Sequence, residues 1–343
     1  MKFAQLLFLI LPSIFLINHL FIKYNFLLDN KNSSPHKAFI EKNTKPPYSG
    51  GVFILISLLF LIPNNEINFK IIIFLIFMTG FLSDINVLKS ANFRFVIQIF
   101  LILFSVIILN SLVQSTRWNF LDNLLSNYYF GLFFTSFCIL TLINGTNFID
   151  GLNTIVIGYY LLILIFISSF YNLNNDYLFN YEFIVYFSII LISVLILNAT
   201  NLLYLGDNGA YLISFFIGIL LIDLSNNTIN LSPYYIVNLL WYPAYENLFS
   251  IIRKLRNKKS ALKPDNLHLH QLIYWFVKKN INLDAKIINT LTGIIINLFN
   301  FSIFMIATYY YLNTNAQVKI LLVSLTVYNL IYIVLKKKLK INA

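Results

Sequence analysis

Apolar runs such as 93–113 and 287–311 continue without the polar breaks of a soluble helix, and runs of this kind recur along the whole chain. A helix that crosses the hydrocarbon core of a bilayer needs about 20 mostly apolar residues, within a range of about 17–25. The runs do not alternate apolar with polar residues, as strands of a membrane barrel must. They therefore dictate a polytopic helical membrane protein. The composition agrees, with 59% hydrophobic and 11% charged residues. Soluble domains carry roughly 25% charged residues, so an ordinary soluble domain and a disordered chain are both excluded. Cys138 is the single cysteine, which excludes an internal disulfide and a cysteine-based zinc site.

Spans are expected at 3–22, 51–63, 69–83, 93–113, 128–143, 154–171, 183–200, 209–224, 231–250, 287–311 and 318–335. This makes the chain an all-α integral membrane protein, a helical bundle of about 11 transmembrane helices in a single domain over 1–343. Lys2 ahead of an apolar run resembles a signal peptide, but no small-residue cleavage site follows, and Lys23 with Tyr24 reads as an interfacial end. With segment 23–49 placed inside, 20 of the 24 Lys and Arg residues fall in inner segments. That asymmetry sets the N-terminus outside and the C-terminus in the cytoplasm. The net charge of +11 is thereby explained by basic loops on one face, and nucleic acid is not expected as a partner. The largest cytoplasmic loop is 251–286.

Only thirteen residues are acidic. Three of them, Asp84, Asp150 and Asp207, sit beside Gly or Asn at inner span ends, in three separate parts of the chain. A carboxylate near the apolar boundary is costly unless paired or metal-bound. Each alone reads well as a helix N-cap. Three on one face read as a site, and a hard cation such as Mg²⁺ binds through one or two carboxylates plus substrate phosphates. The last loop adds Arg253, Lys254 and Arg256, then Pro264-Asp265 and the pair His268 and His270. In extended chain that spacing turns both imidazoles to one side. A basic loop held by anionic lipid accounts for the lysines but not for the His pair.

Taken in order, these motifs resemble the polyprenyl-phosphate N-acetylhexosamine-1-phosphate transferases, a glycosyltransferase family 4-like group. Asp29, Pro35, His36 and Lys37, followed by Pro46 to Gly51, are similar to the family's first cytoplasmic loop. Gly80 to Asp84, with Leu88, Arg94 and Gln98, resembles its aspartate-rich motif. Asn144, Asn147, Phe148, Asp150 and Gly151 resemble its Asn-x-x-Asn-x-x-Asp-Gly motif, and Gly206 to Gly209 its Gly-Asp-Ser-Gly motif. Arg253, Pro264, Asp265, His268 and His270 resemble its last loop. The form of that loop looks like the undecaprenyl-phosphate N-acetylglucosamine 1-phosphate branch. The departures are Ser83 where a second aspartate is usual, Asn153 for an acidic residue, Gln271 for a further His, and Glu246 for an Asp.

The resemblance implies transfer of a sugar 1-phosphate from a UDP-N-acetylhexosamine to polyprenyl phosphate at the cytoplasmic face of the inner membrane, with release of UMP. Such a step initiates lipid-linked cell-surface glycans such as O-antigen lipopolysaccharide. It implies Mg²⁺, with Mn²⁺ as an alternative, held by Asp207 and Asp84. Asp84, Asp150 and Asp207 would be catalytic. Asn144, Asn147, Arg253, His268 and His270 would bind substrate. Membrane lipids and a homodimer are the remaining candidate partners. A transporter or flippase for lipid-linked sugars would instead place ionisable groups near mid-span, whereas the acidic residues here cluster at one face and polar uncharged groups such as Asn110, Asn198 and Asn297 lie in or near the spans. An inactive relative that binds polyprenyl phosphate is the other alternative, suggested by Ser83 and Asn153.

Overall fold

The computed structural model describes residues 3–28, 46–171, 177–228, 230–258 and 267–340. Asp29, Pro35, His36, Lys37, Pro264 and Asp265 lie outside the described residues. Among the described residues there are thirteen helices and a single isolated β-bridge, between Leu28 and Pro47. The helices are α1 (Phe3–Lys23), α2 (Gly50–Leu61), α3 (Ile67–Asp84), α4 (Ala91–Leu109), α5 (Asn119–Leu125), α6 (Tyr128–Ile149) and α7 (Ile155–Tyr171). There follow α8 (Tyr181–Ala199), α9 (Gly206–Asn227), α10 (Pro233–Arg256), α11 (Leu269–Asn280), α12 (Ala285–Tyr309) and α13 (Thr314–Lys338).

Seven of these, α3, α4, α6, α8, α9, α12 and α13, are long and apolar enough to cross a membrane. The other four expected spans coincide with α1, α2, α7 and α10. Of these, α2 has 12 residues and α7 has 17. The short α5 and α11 were not expected from apolar length. Two expected loops are largely helical. α6 runs on through Asn144 and Asn147 to Ile149. Within 251–286, α10 continues to Arg256, and α11 buries Leu269, His270, Leu272 and Tyr274 while ending in Lys278 and Lys279.

α9 is buried along almost its whole length, and α2, α3 and α6 pack around it. Its position at the centre requires close backbone approach. A Cβ on Gly80 of α3 would lie 2.5 Å from the Asn208 N and Cα atoms and from the Asp207 carbonyl carbon. A Cβ on Gly51 of α2 would collide with Asn208 and Gly209. Glycine at these two positions lets α2 and α3 lie directly on the first turn of α9. α10 is held differently. Pro243 inside it has no N–H to give the Leu239 carbonyl, and the Tyr159 hydroxyl donates there instead, at 2.8 Å.

The far end of the bundle is tied by Arg117. Its guanidinium donates to the Asn230 and Leu231 carbonyls at 2.6 and 3.0 Å, and to Thr314 Oγ1 at 2.9 Å. One of the few basic residues expected outside is thus a structural clamp between loops.

Candidate active site

α9 begins without a capping side chain of its own: its N-cap is Leu205. The first N–H groups of a helix have no intrahelical partner, and leaving one buried and unpaired costs roughly 1–3 kcal/mol. Asp84, at the C-terminal end of α3, supplies the acceptor. Its carboxylate accepts from the Asp207 and Asn208 backbone N–H groups at 3.1 and 3.0 Å, and from Asn208 Nδ2 at 2.6 Å. The turn into α9 needs Gly206, whose φ of +76° is left-handed and whose added Cβ would meet Asp84 Oδ2 at 2.8 Å. Asn208 Nδ2 also donates to the Tyr48 carbonyl at 3.2 Å, tying in the segment before α2. Asp84 therefore caps a helix, but one 123 residues further along the chain.

This capping presents Asp207, half-buried, to three other helices. Its Oδ2 accepts from Ser83 Oγ of α3 at 2.7 Å and from Arg94 Nη1 of α4 at 3.0 Å. Arg94 also donates to Ser83 Oγ. Asp207 Oδ1 accepts from Asn147 Nδ2 of α6 at 2.8 Å. One turn along α6, Asn144 Nδ2 donates to Gln98 Oε1 of α4 at 3.3 Å. Asn144 and Asn147 share a helix face because they are three residues apart. Ser83, where a second carboxylate is usual in the resembling family, donates to Asp207 instead of repelling it.

Asp150 ends α6 and lines a small polar cleft with Tyr48, Asn153, Tyr204, Gly206 and Asn289. The departure at Asn153 has a structural role. Its backbone N–H donates to Asn289 Oδ1, and its Nδ2 to Asn201 Oδ1, both at 2.7 Å. An amide donates and accepts, so it completes this buried amide network.

The His pair enters from α11. His268 Nδ1 lies 2.9 Å from Glu246 Oε1, and the Tyr328 hydroxyl donates to Glu246 Oε2 at 2.8 Å. His268 packs on Phe148 at 5.4 Å between ring centres and stacks with His270 at 5.6 Å. His270 is fully buried, and a Cβ on Gly151 would lie 2.7 Å from its Nε2. Gly151 thus brings the His pair against the end of α6. Burial, reinforced by the neighbouring His268, pushes the His270 imidazole down to about 3, so it is neutral at physiological pH. Neither of its ring nitrogens has a hydrogen-bond partner among the described residues. Buried polar atoms are nearly always partnered, so His270 stands out at this end of the bundle as a buried imidazole that the described residues leave unpaired.

The structure brings together Asp84, Asp207, Asn147, Asn144, Asp150, His268 and His270 at one end of the bundle. Arg253 is placed apart from them. It lines a cleft between α10 and α13 and donates from Nη2 to Ser250 Oγ at 3.2 Å. The adjacent Lys254 is buried, with Nζ 5.3 Å from the centre of the Phe148 ring. Arg94, Glu246 and Lys254 are named in the sequence motifs without a role in the site, and Tyr328 is not named there at all. Their signals in the sequence are an Arg ten residues after Asp84, an acidic residue within a span, and a tyrosine on α13.

Among the described residues no group of three or more His, Cys, Asp or Glu could hold a metal ion. Mg²⁺ does not need such a cage when it keeps waters and substrate phosphates. The oxygens at hand are the Asp207 carboxylate and the Ser83 hydroxyl, with the Asn147 amide beside them, and an ion bound there would share Oδ2 with the Arg94 guanidinium now on it. The residues fit it.

No curated protein matches the chain. The model of the family described as "Glycosyl transferase family 4" matches residues 47–225, just over half of the chain. The matched segment holds Asp84, Asn144, Asn147, Asp150 and Asp207, and stops short of Arg253 and the His pair. The chain belongs to glycosyl transferase family 4, whose members are membrane sugar-phosphate transferases.

Proposed function

We propose that the chain transfers an N-acetylhexosamine 1-phosphate from a UDP-sugar to polyprenyl phosphate, releasing UMP, as the first step of a lipid-linked surface glycan. The observation that carries this reading is the meeting of four helices on Asp207, with the His270–Gly151 contact beside it. The reading includes eleven spans, an N-terminus outside and the site at the cytoplasmic face of the inner membrane. The charge asymmetry of the chain supports that topology. A reporter fused after Lys340 should then be cytoplasmic and one at Asn226 external. Both on one side would refute the map.

In this reading Asp207 holds Mg²⁺, or Mn²⁺ in its place. Asp84 stands behind it, because its carboxylate already serves the first turn of α9. The ion, when bound, neutralises charge on the diphosphate. Asn144 and Asn147 offer amides to the nucleotide-sugar from one face of α6. His268, oriented by Glu246, and the neutral His270 offer imidazole nitrogens to phosphate oxygens next to Asp150 and Gly151. Lys254, buried with its Nζ over the Phe148 ring on which His268 packs, brings a cation to this end of α10.

The lipid phosphate attacks the sugar-linked phosphorus, and the bond to the UMP oxygen breaks. A phosphate monoester has its second pKa near 6, so the nucleophile is largely dianionic at neutral pH. A general base at Ser83 is then of little value. Positioning and charge neutralisation carry the chemistry, and Ser83 serves by holding Asp207. The engaged Ser83 and Asn153 therefore favour an enzyme over an inactive binder.

The test is a transfer assay on membranes containing the protein, with polyprenyl phosphate, Mg²⁺ and labelled UDP-N-acetylglucosamine, UDP-N-acetylgalactosamine and related UDP-sugars. Label should pass to lipid with at least one of them, only with the metal and the lipid phosphate present. No transfer from any would overturn the proposal.

A further inference from the structure

The cleft between α10 and α13 lies outside the Asp207 centre and has a polarity of its own. Its volume is about 1030 Å³. α10 contributes Phe249, Ile252, Arg253 and Arg256, spaced i, i+3, i+4 and i+7, which is one helix face. α13 and the turn after it contribute Asn329, Tyr332, Ile333, Lys336, Lys337 and Lys340, again one face. Both stripes change in the same direction. They are aromatic and aliphatic where the helices are still within the bundle, and cationic at their ends. Ile252 and Ile333 on the apolar part are 65% and 62% exposed, as lipid-facing side chains are. Five cations converge on the cleft, and its described lining holds no Asp or Glu.

We propose that this cleft binds the phosphate head of an anionic membrane lipid, with the chain lying along the apolar part of the two stripes. This goes beyond the transfer reaction and assigns the cleft a ligand that is not consumed. A general excess of basic residues at inner helix ends does not account for it. Lys338, in the same basic run, turns the other way, with Nζ 5.3 Å from the centre of the Phe276 ring on α11. Lys278 lies over Tyr274 and Trp275. The cations that share a cleft are a subset chosen by helix geometry. A basic pocket between transmembrane helices with an apolar flank is matched to a phosphate on a hydrocarbon chain. A free phosphate shares the head-group chemistry but has no use for Ile252, Ile333 and Phe249.

The test uses the full chain in nanodiscs of phosphatidylcholine with a minor fraction of phosphatidylglycerol. Phosphatidylglycerol retained on the protein is measured by native mass spectrometry. One variant carries Lys336→Gln, Lys337→Gln and Lys340→Gln. A second removes the same charge at the same end of the molecule, with Lys278→Gln, Lys279→Gln and Lys338→Gln. Retention should fall at least about fivefold in the first, the worth of one Lys contact at a membrane surface, and less than about twofold in the second. Should the triple variant not fold, Lys337→Gln with Lys340→Gln, both exposed, must still lower retention more than the second variant does. Inorganic phosphate should not displace the lipid. Equal losses in the two variants, unchanged retention, or displacement by inorganic phosphate would each overturn the proposal.

Discussion

Replacing Asp207 by Asn should lower sugar-phosphate transfer by about 10²–10³-fold, the usual cost of removing one preorganised electrostatic contact from a reacting centre. The substitution keeps shape and removes charge. Asp207 Oδ2 accepts from both Ser83 and Arg94, and Oδ1 accepts from Asn147. An amide in its place presents one oxygen and one NH₂, so one of these donors faces another donor. Arg94 also loses the carboxylate at 3.0 Å that balances its charge. Turnover should fall and the Mg²⁺ concentration for half-maximal rate should rise. The melting temperature of the purified protein separates this from unfolding. An Asp207→Asn enzyme with near-normal Mg²⁺-dependent turnover would remove Asp207 from the centre of the account.

Gly80→Ala has the second large effect, and it works through packing. The new methyl would sit 2.5 Å from three backbone atoms of Asp207 and Asn208. Backbone cannot rotate away as a side chain can, so α3 must move off α9. Overpacking of this kind costs about 1–3 kcal/mol, and occasionally more. The shift would also draw the Asp84 carboxylate off the first turn of α9, since Asp84 is one turn further along α3 than Gly80. Gly218→Ala is the matched control on α9 itself, where the methyl would meet only the Leu142 side chain, at 3.3 Å. Gly80→Ala should lower both the melting temperature and transfer activity, and Gly218→Ala should leave both near wild type. Equal behaviour of the two would show that the close approach of α3 to α9 is unimportant.

Helical, membrane-spanning architecture was legible because apolar length alone reports it. The one-ended clustering of Asp84, Asp150 and Asp207 was also legible, because span order places loop residues on faces. Helix continuity at the ends was not. Asn144 and Asn147 read as loop residues, since polar amides at a span end signal an exit from the membrane, yet α6 carries them in helix against Asp207. The role of Asp84 was legible only in type. Asp is a good cap, but the helix it caps starts far along the chain, and no local pattern reveals it. The same holds for Tyr328 on Glu246, 82 residues apart, and for Arg94 on Asp207, 113 residues apart. Pairings of this range come from helix packing, at the start of α9 for Asp84 and between α10 and α13 for Tyr328, which periodicity does not encode. Asn153 and Ser83 look like losses beside a motif, whereas their hydrogen bonds in the fold give both a positive role.

The most direct measurement is exchange of label from UMP into UDP-sugar. The proposed reaction breaks one phosphoanhydride and makes another, so its equilibrium constant lies near unity and it runs backward readily. Purified protein given polyprenyl phosphate, UDP-sugar, Mg²⁺ and labelled UMP should form labelled UDP-sugar. Omitting polyprenyl phosphate should abolish the exchange, and Asp207→Asn should slow it in step with forward transfer. A flippase or a lipid-binding relative makes and breaks no phosphoanhydride, and a hydrolase releases sugar phosphate irreversibly. Forward transfer with no UMP-dependent reversal, with the lipid product still present, would contradict the account.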